Sequence, residues 1–418
     1  MKNLLALCLL ACAALPAQQT PAPNEIAASP FFIKNTWIIG GAGNWDYLTM
    51  DPQASQLLIA HGPVVQVVDT DTGTLAGQIT GFRFAHSIAL DDTGEFGFVS
   101  DGPANQVKVF DRRTFKIVAR IPTGPSPRAL VFEPQTKLLF AVSADPLPQN
   151  SVPSRPAANQ PVKSSITVID AQTRAVIGNI LLPGKLGFAA TNGAGQLFVI
   201  LQDRNEIAWI DATAIEARLH GAPGSAEAAR AVAGQPAPAK PPGAQVTIDW
   251  SALPHSTQSS GNRVRFFALG PECRDPRSLA VDSSHMRLFA ACNNLTMDVL
   301  NASTGELIAS LPTGAGAEAI GYDPDRGLIY TANGAAMGSI TVIRQDVTDT
   351  YAVIQILPTR QRARTLAVNP ATGEVYLVTD LLGMPLDKPG ASAPSTPLRP
   401  TAASRCWSSP TDAPRIPP

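Results

Sequence analysis

The chain has 418 residues, 32 of them Lys or Arg and 33 Asp or Glu, with 44% hydrophobic and 6% aromatic content. This near-neutral balance excludes a general nucleic-acid or anionic-membrane surface, either of which needs an excess of positive charge. The 32 Gly and 38 Pro are too many for a helical bundle and fit a chain of short elements and frequent turns.

The first segment reads as an export signal. Lys2 gives the positive start, and "LLALCLLACAALPA" is a short apolar run ending in small residues. Such a run is too short for a permanent anchor, so residues 1–17 are expected to be a signal peptide cleaved after Ala17. The alternative is a lipoprotein signal using Cys12. No later segment carries the roughly eighteen unbroken apolar residues of a spanning helix. The mature chain is expected to be soluble, monomeric, and periplasmic or secreted.

Beyond the signal the chain repeats itself. A six-residue phrase, one variable residue followed by mostly apolar or small ones and then an acidic or amide residue, occurs seven times: "DYLTMD" from 46, "HSIALD" from 86, "RALVFE" from 128, "GFAATN" from 187, "RSLAVD" from 277, "EAIGYD" from 318 and "RTLAVN" from 364. A second apolar phrase follows each about ten residues later, from "LLIAH" to "VYLVTD". A third ends at Asp69, Asp111, Asp170, Asp211 or Asn301. Where nothing is inserted the period is about 40–46 residues, the length of one four-stranded propeller blade. The "D-x-x-T-G" form at Asp69–Gly73 is a turn signal, with Asp capping backbone N–H groups and Gly at positive φ. Residues 31–380 are therefore expected to form an all-β propeller of seven four-stranded antiparallel blades. The run "FFIKNTWIIG" at 31–40 is assigned as an outermost strand closing the ring from the N-terminus. Residues 145–163 and 214–263 are Pro/Ala-rich insertions, and 381–418 is a Pro-rich irregular tail.

These residues resemble the YVTN-repeat, YncE-like seven-bladed propellers of bacteria. The carriers are "WDYLTMDP", "GFVSDGPANQVKVFD", "DPRSLAVDSSHMRLFAACN" and "ARTLAVNPATGEVY", within roughly residues 40–380. The resemblance implies an exported propeller without an assigned reaction. The chain departs from the pattern at Gly187, where a polar residue is common, and in the 214–263 insertion.

In a propeller the first strand of each blade lines the central channel, so the first residue of each phrase should lie near its mouth. That column reads Asp46, His86, Arg128, Gly187, Arg277, Glu318, Arg364. Three Arg and a His suit a carboxylate or phosphate, with Asp46 and Glu318 as orienting partners. The same residues also suit a structural ring of mutual ion pairs. Some resembling propellers act as lactonases through Glu, Arg and His near the channel. Here no G-x-S-x-G, H-x-H or H-E-x-x-H occurs, so no nucleophile or metal set is assigned. A metal shared by His61 and His86 is the weaker alternative to a hydrogen-bonded turn histidine, and no cofactor is expected. Asp51, Asp282 and Asp323 read as strand-end turn residues.

Cys273 enters the first strand of one repeat and Cys292 ends its second strand. Adjacent antiparallel strands bring those two points together, so a disulfide is expected, worth about 3 kcal/mol by chain entropy. In the tail, codons for Arg405 to Ser409 read one nucleotide earlier would encode an apolar strand-like run. The tail is thus a candidate frameshift product, with a genuine Pro-rich tail as the alternative, and Cys406 and Trp407 receive no role. Three functions remain: a non-catalytic scaffold binding a protein or small anion through the channel mouth and its loops, a lactonase-like hydrolase, and a cell-envelope structural or adhesion module. The first is preferred.

Overall fold

The structure, a computed structural model, describes residues 31–41, 44–143, 163–220, 246–252, 263–346 and 349–380, with the backbone of 402–408. The expected signal at 1–17, nearly all of 145–163, and most of 214–263 and 381–418 lie outside the described residues.

The chain begins with β1 (Phe32–Ile38). Six strands then form one continuous sheet: β2 (Trp45–Asp51), β3 (Gln56–Asp69), β4 (Leu75–Leu90), β5 (Phe96–Asp101), β6 (Gln106–Asp111) and β7 (Ile117–Pro122). The next holds β8 (Pro127–Glu133), β9 (Leu138–Ser143), β10 (Lys163–Asp170) and β11 (Ala175–Pro183). Then come β12 (Leu186–Thr191), β13 (Gln196–Leu201), β14 (Glu206–Asp211) and helix α1 (Ala212–His220). Strand β15 (Val246–Asp249) adds parallel to the edge of β11 as a fifth strand, and β16 (Val264–Ala268) completes the β12–β14 sheet. Two four-stranded sheets follow, β17 (Pro276–Asp282), β18 (Arg287–Cys292), β19 (Thr296–Asn301), β20 (Leu307–Pro312), and β21 (Ala317–Asp323), β22 (Leu328–Asn333), β23 (Ser339–Gln345), β24 (Tyr351–Pro358). The last sheet runs β25 (Leu366–Asn369), β26 (Glu374–Asp380), β27 (Ala402–Ser408), β1.

The result is an all-β propeller, but two expectations are corrected. Seven separate four-stranded blades are not what the hydrogen bonding gives: five sheets have the four or five strands of a single blade, and the sixth is continuous over six strands. The cause is β4, sixteen residues long, which pairs with β3 through Leu75–Thr80 and with β5 through Ala85–Leu90. Four other outer strands stop at a proline, at Pro122, Pro183, Pro312 and Pro358, and β16 stops at Ala268 shortly before Pro271. The corresponding "ITGFRFAH" has none, and β4 runs on through Gly81, whose φ of 95° is the one departure from extended backbone that a glycine permits. Nor does an N-terminal strand close the ring. β1 pairs only with β27, which separates it from β26. First and last repeats meet instead by packing, Leu57 and Ile59 against Tyr376 and Val378, with the Trp37 and Tyr376 rings stacked 5.9 Å apart. β27 also lies in the segment read from sequence as irregular.

All seven phrases are strands, and these inner strands neighbour one another in a closed cycle, β2–β4–β8–β12–β17–β21–β25 and back to β2. Their last residues brace the ring. Asp51, Glu133, Asp282 and Asp323 are buried and accept turn N–H groups from Ala54, Thr136, Ser284 and Asp325. Glu133 also accepts the Gly195 N–H at 2.9 Å, and Asp51 binds Arg112 from β6–β7. The third-phrase residues Asp69, Asp111, Asp170 and Asn301 cap the outer hairpins as the turn signal implied. Asp211 does something else: it caps α1, accepting the Ala214 N–H at 3.0 Å and the Thr213 hydroxyl at 2.6 Å.

Candidate functional site at the channel mouth

Six of the seven inner strands start with a bulge, while β25 pairs with β26 in unbroken register from Leu366. The register slips at Trp45/Leu48 in β2, Ala85/Ile88 in β4, Pro127/Ala129 in β8, Leu186/Ala189 in β12, Pro276/Ser278 in β17 and Ala317/Ala319 in β21. In every case the slip falls on the first residue of the phrase. A bulge re-aims the extra residue out of the pleat, which brings Asp46, Arg128, Arg277 and Glu318 towards the channel.

The structure brings Asp46, Arg128, Gly187, Arg277, Glu318 and Arg364 to the wall of one cavity of about 310 Å³. His86 is not in the wall. It is buried behind Asp46, with its Nδ1 2.6 Å from Asp46 Oδ2 and its ring 4.8 Å from that of Phe84. Its Nε2 is turned to Gly102, where a Cβ would stand 2.6 Å from it, so only glycine fits there. His61 is likewise buried, with Nδ1 2.7 Å from Gln66 Oε1. Each imidazole is thus engaged by a different partner, and no group of three or more metal-ligating side chains occurs among the described residues.

Reading the column alone missed Tyr47, Phe188, Lys185 and Gln202, all of which line the cavity. Tyr47 and Phe188 hold the second place of their phrases and come from opposite sides of the ring, their centroids 5.1 Å apart. They give the mouth an aromatic floor. Burial pushes the Tyr47 phenol well above its ordinary pKa, reinforced by the negative charges of Asp46 and Glu318. Gly187 explains Gln202: a Cβ at 187 would stand 3.0 Å from Gln202 Cγ and 3.2 Å from Ile200 Cγ2. The missing side chain in the column makes room for the amide of the residue that follows β13.

The charges are unequally satisfied. Arg277 binds Asp275 at 2.5 Å, and its Nε is buried without a hydrogen-bond partner among the described residues. Arg364 Nε lies 3.2 Å from Glu318 Oε2. Arg128 and Lys185 are exposed, and neither side chain has a hydrogen-bond or ion-pair partner among the described residues. The mouth therefore combines two open cations with an aromatic floor.

The expected disulfide joins Cys273 and Cys292, Cα atoms 5.5 Å apart, beside this wall. The loop it anchors carries Asp275, whose carboxylate accepts Asn293 Nδ2 at 3.1 Å while its carbonyl accepts the Asn293 N–H.

No family model matches the chain, and no curated protein matches it. Among solved structures it is similar to a chain in the crystal structure of the mitotic checkpoint complex, with a TM-score of 0.58 and 14% sequence identity, covering 88% of this chain and 96% of that one. At that identity the likeness shows a WD40-like β-propeller fold and nothing finer. As many as 1657 solved chains match, so the fold is shared too widely to carry a role, and function has to be argued from the site.

Proposed function

We propose that the chain is an exported, non-catalytic propeller that binds a small anionic ligand at its channel mouth. The carrying observation is that Arg128 and Lys185, which have no partner among the described residues, line the same cavity as the Tyr47–Phe188 pair. A closed structural ring would have compensated them, as it compensates Arg277 and Arg364. The cavity volume falls within the range of small-molecule sites. Export is supported by the Cys273–Cys292 disulfide, since such bonds persist in oxidising compartments. No helix among the described residues is long and apolar enough to cross a membrane. The similar chain belongs to a protein complex, which is in keeping with a scaffold that also presents its mouth-side loops to a partner.

Hydrolysis has less support. A general base must reach the substrate, and His86, the imidazole of the column, is buried behind Asp46 with Nε2 facing Gly102.

Calorimetric titration of the mature chain with citrate tests the proposal. Saturable binding is expected that weakens as salt rises and disappears in the Arg128→Ala/Lys185→Ala double variant. A chain that takes up neither citrate nor inorganic phosphate sinks it. Turnover of a lactone panel that is lost in Arg277→Ala/Arg364→Ala would establish the hydrolase instead.

A further inference from the structure

The order of charges around the mouth is not random, and it narrows the ligand class. Following the inner strands from β8, the cavity wall presents Arg128, then Lys185 beside β12, then Arg277 from β17. Three cations thus stand on consecutive elements. The opposite arc, β21, β25 and β2, presents Glu318, Arg364 and Asp46. The mouth is a dipole across its own opening.

The acidic arc keeps acceptor capacity. Asp46 uses Oδ2 for His86, and Glu318 uses Oε2 for Arg364. Neither Asp46 Oδ1 nor Glu318 Oε1 has a partner among the described residues. A plain anion filling the cavity would leave these oxygens facing it, which is unfavourable. A ligand carrying a cationic donor on one side and carboxylates on the other would satisfy both arcs.

Stoichiometry points the same way. Arg277 is compensated by Asp275 and Arg364 by Glu318, leaving two open cations, Arg128 and Lys185, against Asp46. The matching small molecule has two carboxylates and one ammonium. We infer that the mouth binds an amino dicarboxylate, an acidic amino acid or the acidic end of a short peptide, with its carboxylates on the Arg128–Lys185 side and its ammonium between Asp46 and Glu318. This rests on the anion-binding proposal and deepens it.

The test compares L-glutamate with glutarate, which has the same two carboxylates and no ammonium, with citrate as control. Glutamate is expected to bind about tenfold more tightly than glutarate. Glu318→Gln and Asp46→Asn should each shrink that preference while leaving glutarate binding equal or stronger. Glu318 is the safer site, being partly exposed, whereas Asp46 also holds His86. Equal affinity for the two acids, or a preference untouched by Glu318→Gln, overturns the inference and leaves anion binding standing if citrate still binds. Failure of all three acids to bind overturns the inference, and failure of inorganic phosphate as well overturns both.

Discussion

Arg128 and Arg277 occupy the same place in their repeats, second residue of the inner strand at the bulge, yet their situations differ. Arg128 is exposed and without an ion-pair partner among the described residues, while Arg277 binds Asp275 at 2.5 Å. The difference comes from the chain entering each strand. Before β17 it reads "CRDPR", placing an acid two residues ahead of the arginine, and the Cys273–Cys292 bond pins that stretch to the end of β18. Before β8 it reads "GPSPR", with no acid and no cysteine. Equivalent positions on a repeated scaffold thus become an open cation or a compensated one according to the connecting loop.

The largest effect expected from breaking this comparison is on the disulfide. The cysteines are 19 residues apart, so Cys292→Ser or full reduction should lower stability by about 3 kcal/mol in the chain-entropy model. Urea denaturation with and without reductant measures it. The substitution also releases the loop that holds Asp275, so citrate affinity should stay equal or rise while stability falls. An unchanged urea midpoint would mean that the backbone and side-chain bonds of Asn293 to Asp275 hold the loop by themselves.

The parts of this site that were legible from sequence are those the repeat writes. The phrase period aligned seven inner strands, the column named six of the charged or small wall residues, and strand adjacency paired the cysteines. Tyr47 and Phe188 were passed over because the second place in the phrase reads as small or apolar, and nothing local shows that two such residues meet across the channel. Lys185 lies two residues ahead of its phrase and Gln202 follows a second strand, so a column read one position deep omits both. His86 matched the column but not the wall: its ring is held by Asp46 and Phe84 and fills the space that the glycine at 102 leaves. The merging of the first two repeats turned on a missing proline, a signal weaker than the six-residue phrase it separates. α1 had a legible N-cap at Asp211 that was absorbed into the turn pattern of the other repeats. β15, four residues in an Ala/Pro-rich insertion, had no alternation long enough to count.

A smaller and more direct perturbation sharpens the contrast. Asp275→Asn removes the partner charge of Arg277 and makes that arginine resemble Arg128. Citrate should then bind about fivefold more tightly, roughly 1 kcal/mol, with the gain shrinking in high salt. The disulfide and the Asn293 N–H bond to the Asp275 carbonyl are retained, so the urea midpoint should move little. An affinity that does not change would place the bound anion wholly on Arg128 and Lys185.

The smallest effect concerns an ion pair far from the mouth, which calibrates what pairing alone is worth on this scaffold. Lys34 of β1 donates to Glu374 of β26 at 2.6 Å, and Tyr376 donates to the same carboxylate at 2.7 Å. Burial tends to raise the Glu374 carboxyl, but the bonds from Lys34 and Tyr376 outweigh it and hold the group below the usual carboxylate range. A depressed folded pKa contributes stability in full above the unfolded value, about 4.3, and loses it as pH falls through the folded value. Lys34→Ala should cost only about 0.5 kcal/mol at neutral pH, because the lysine is half exposed. The gap between wild type and variant should close in acid as Glu374 takes up its proton, and denaturation curves across that range measure it. Arg364 and Glu318 are similarly exposed, so their pairing in the mouth is of the same small order. A ligand ammonium competing for Glu318 would therefore displace a weak contact, whereas a Lys34→Ala cost approaching that of the disulfide would make such competition much harder.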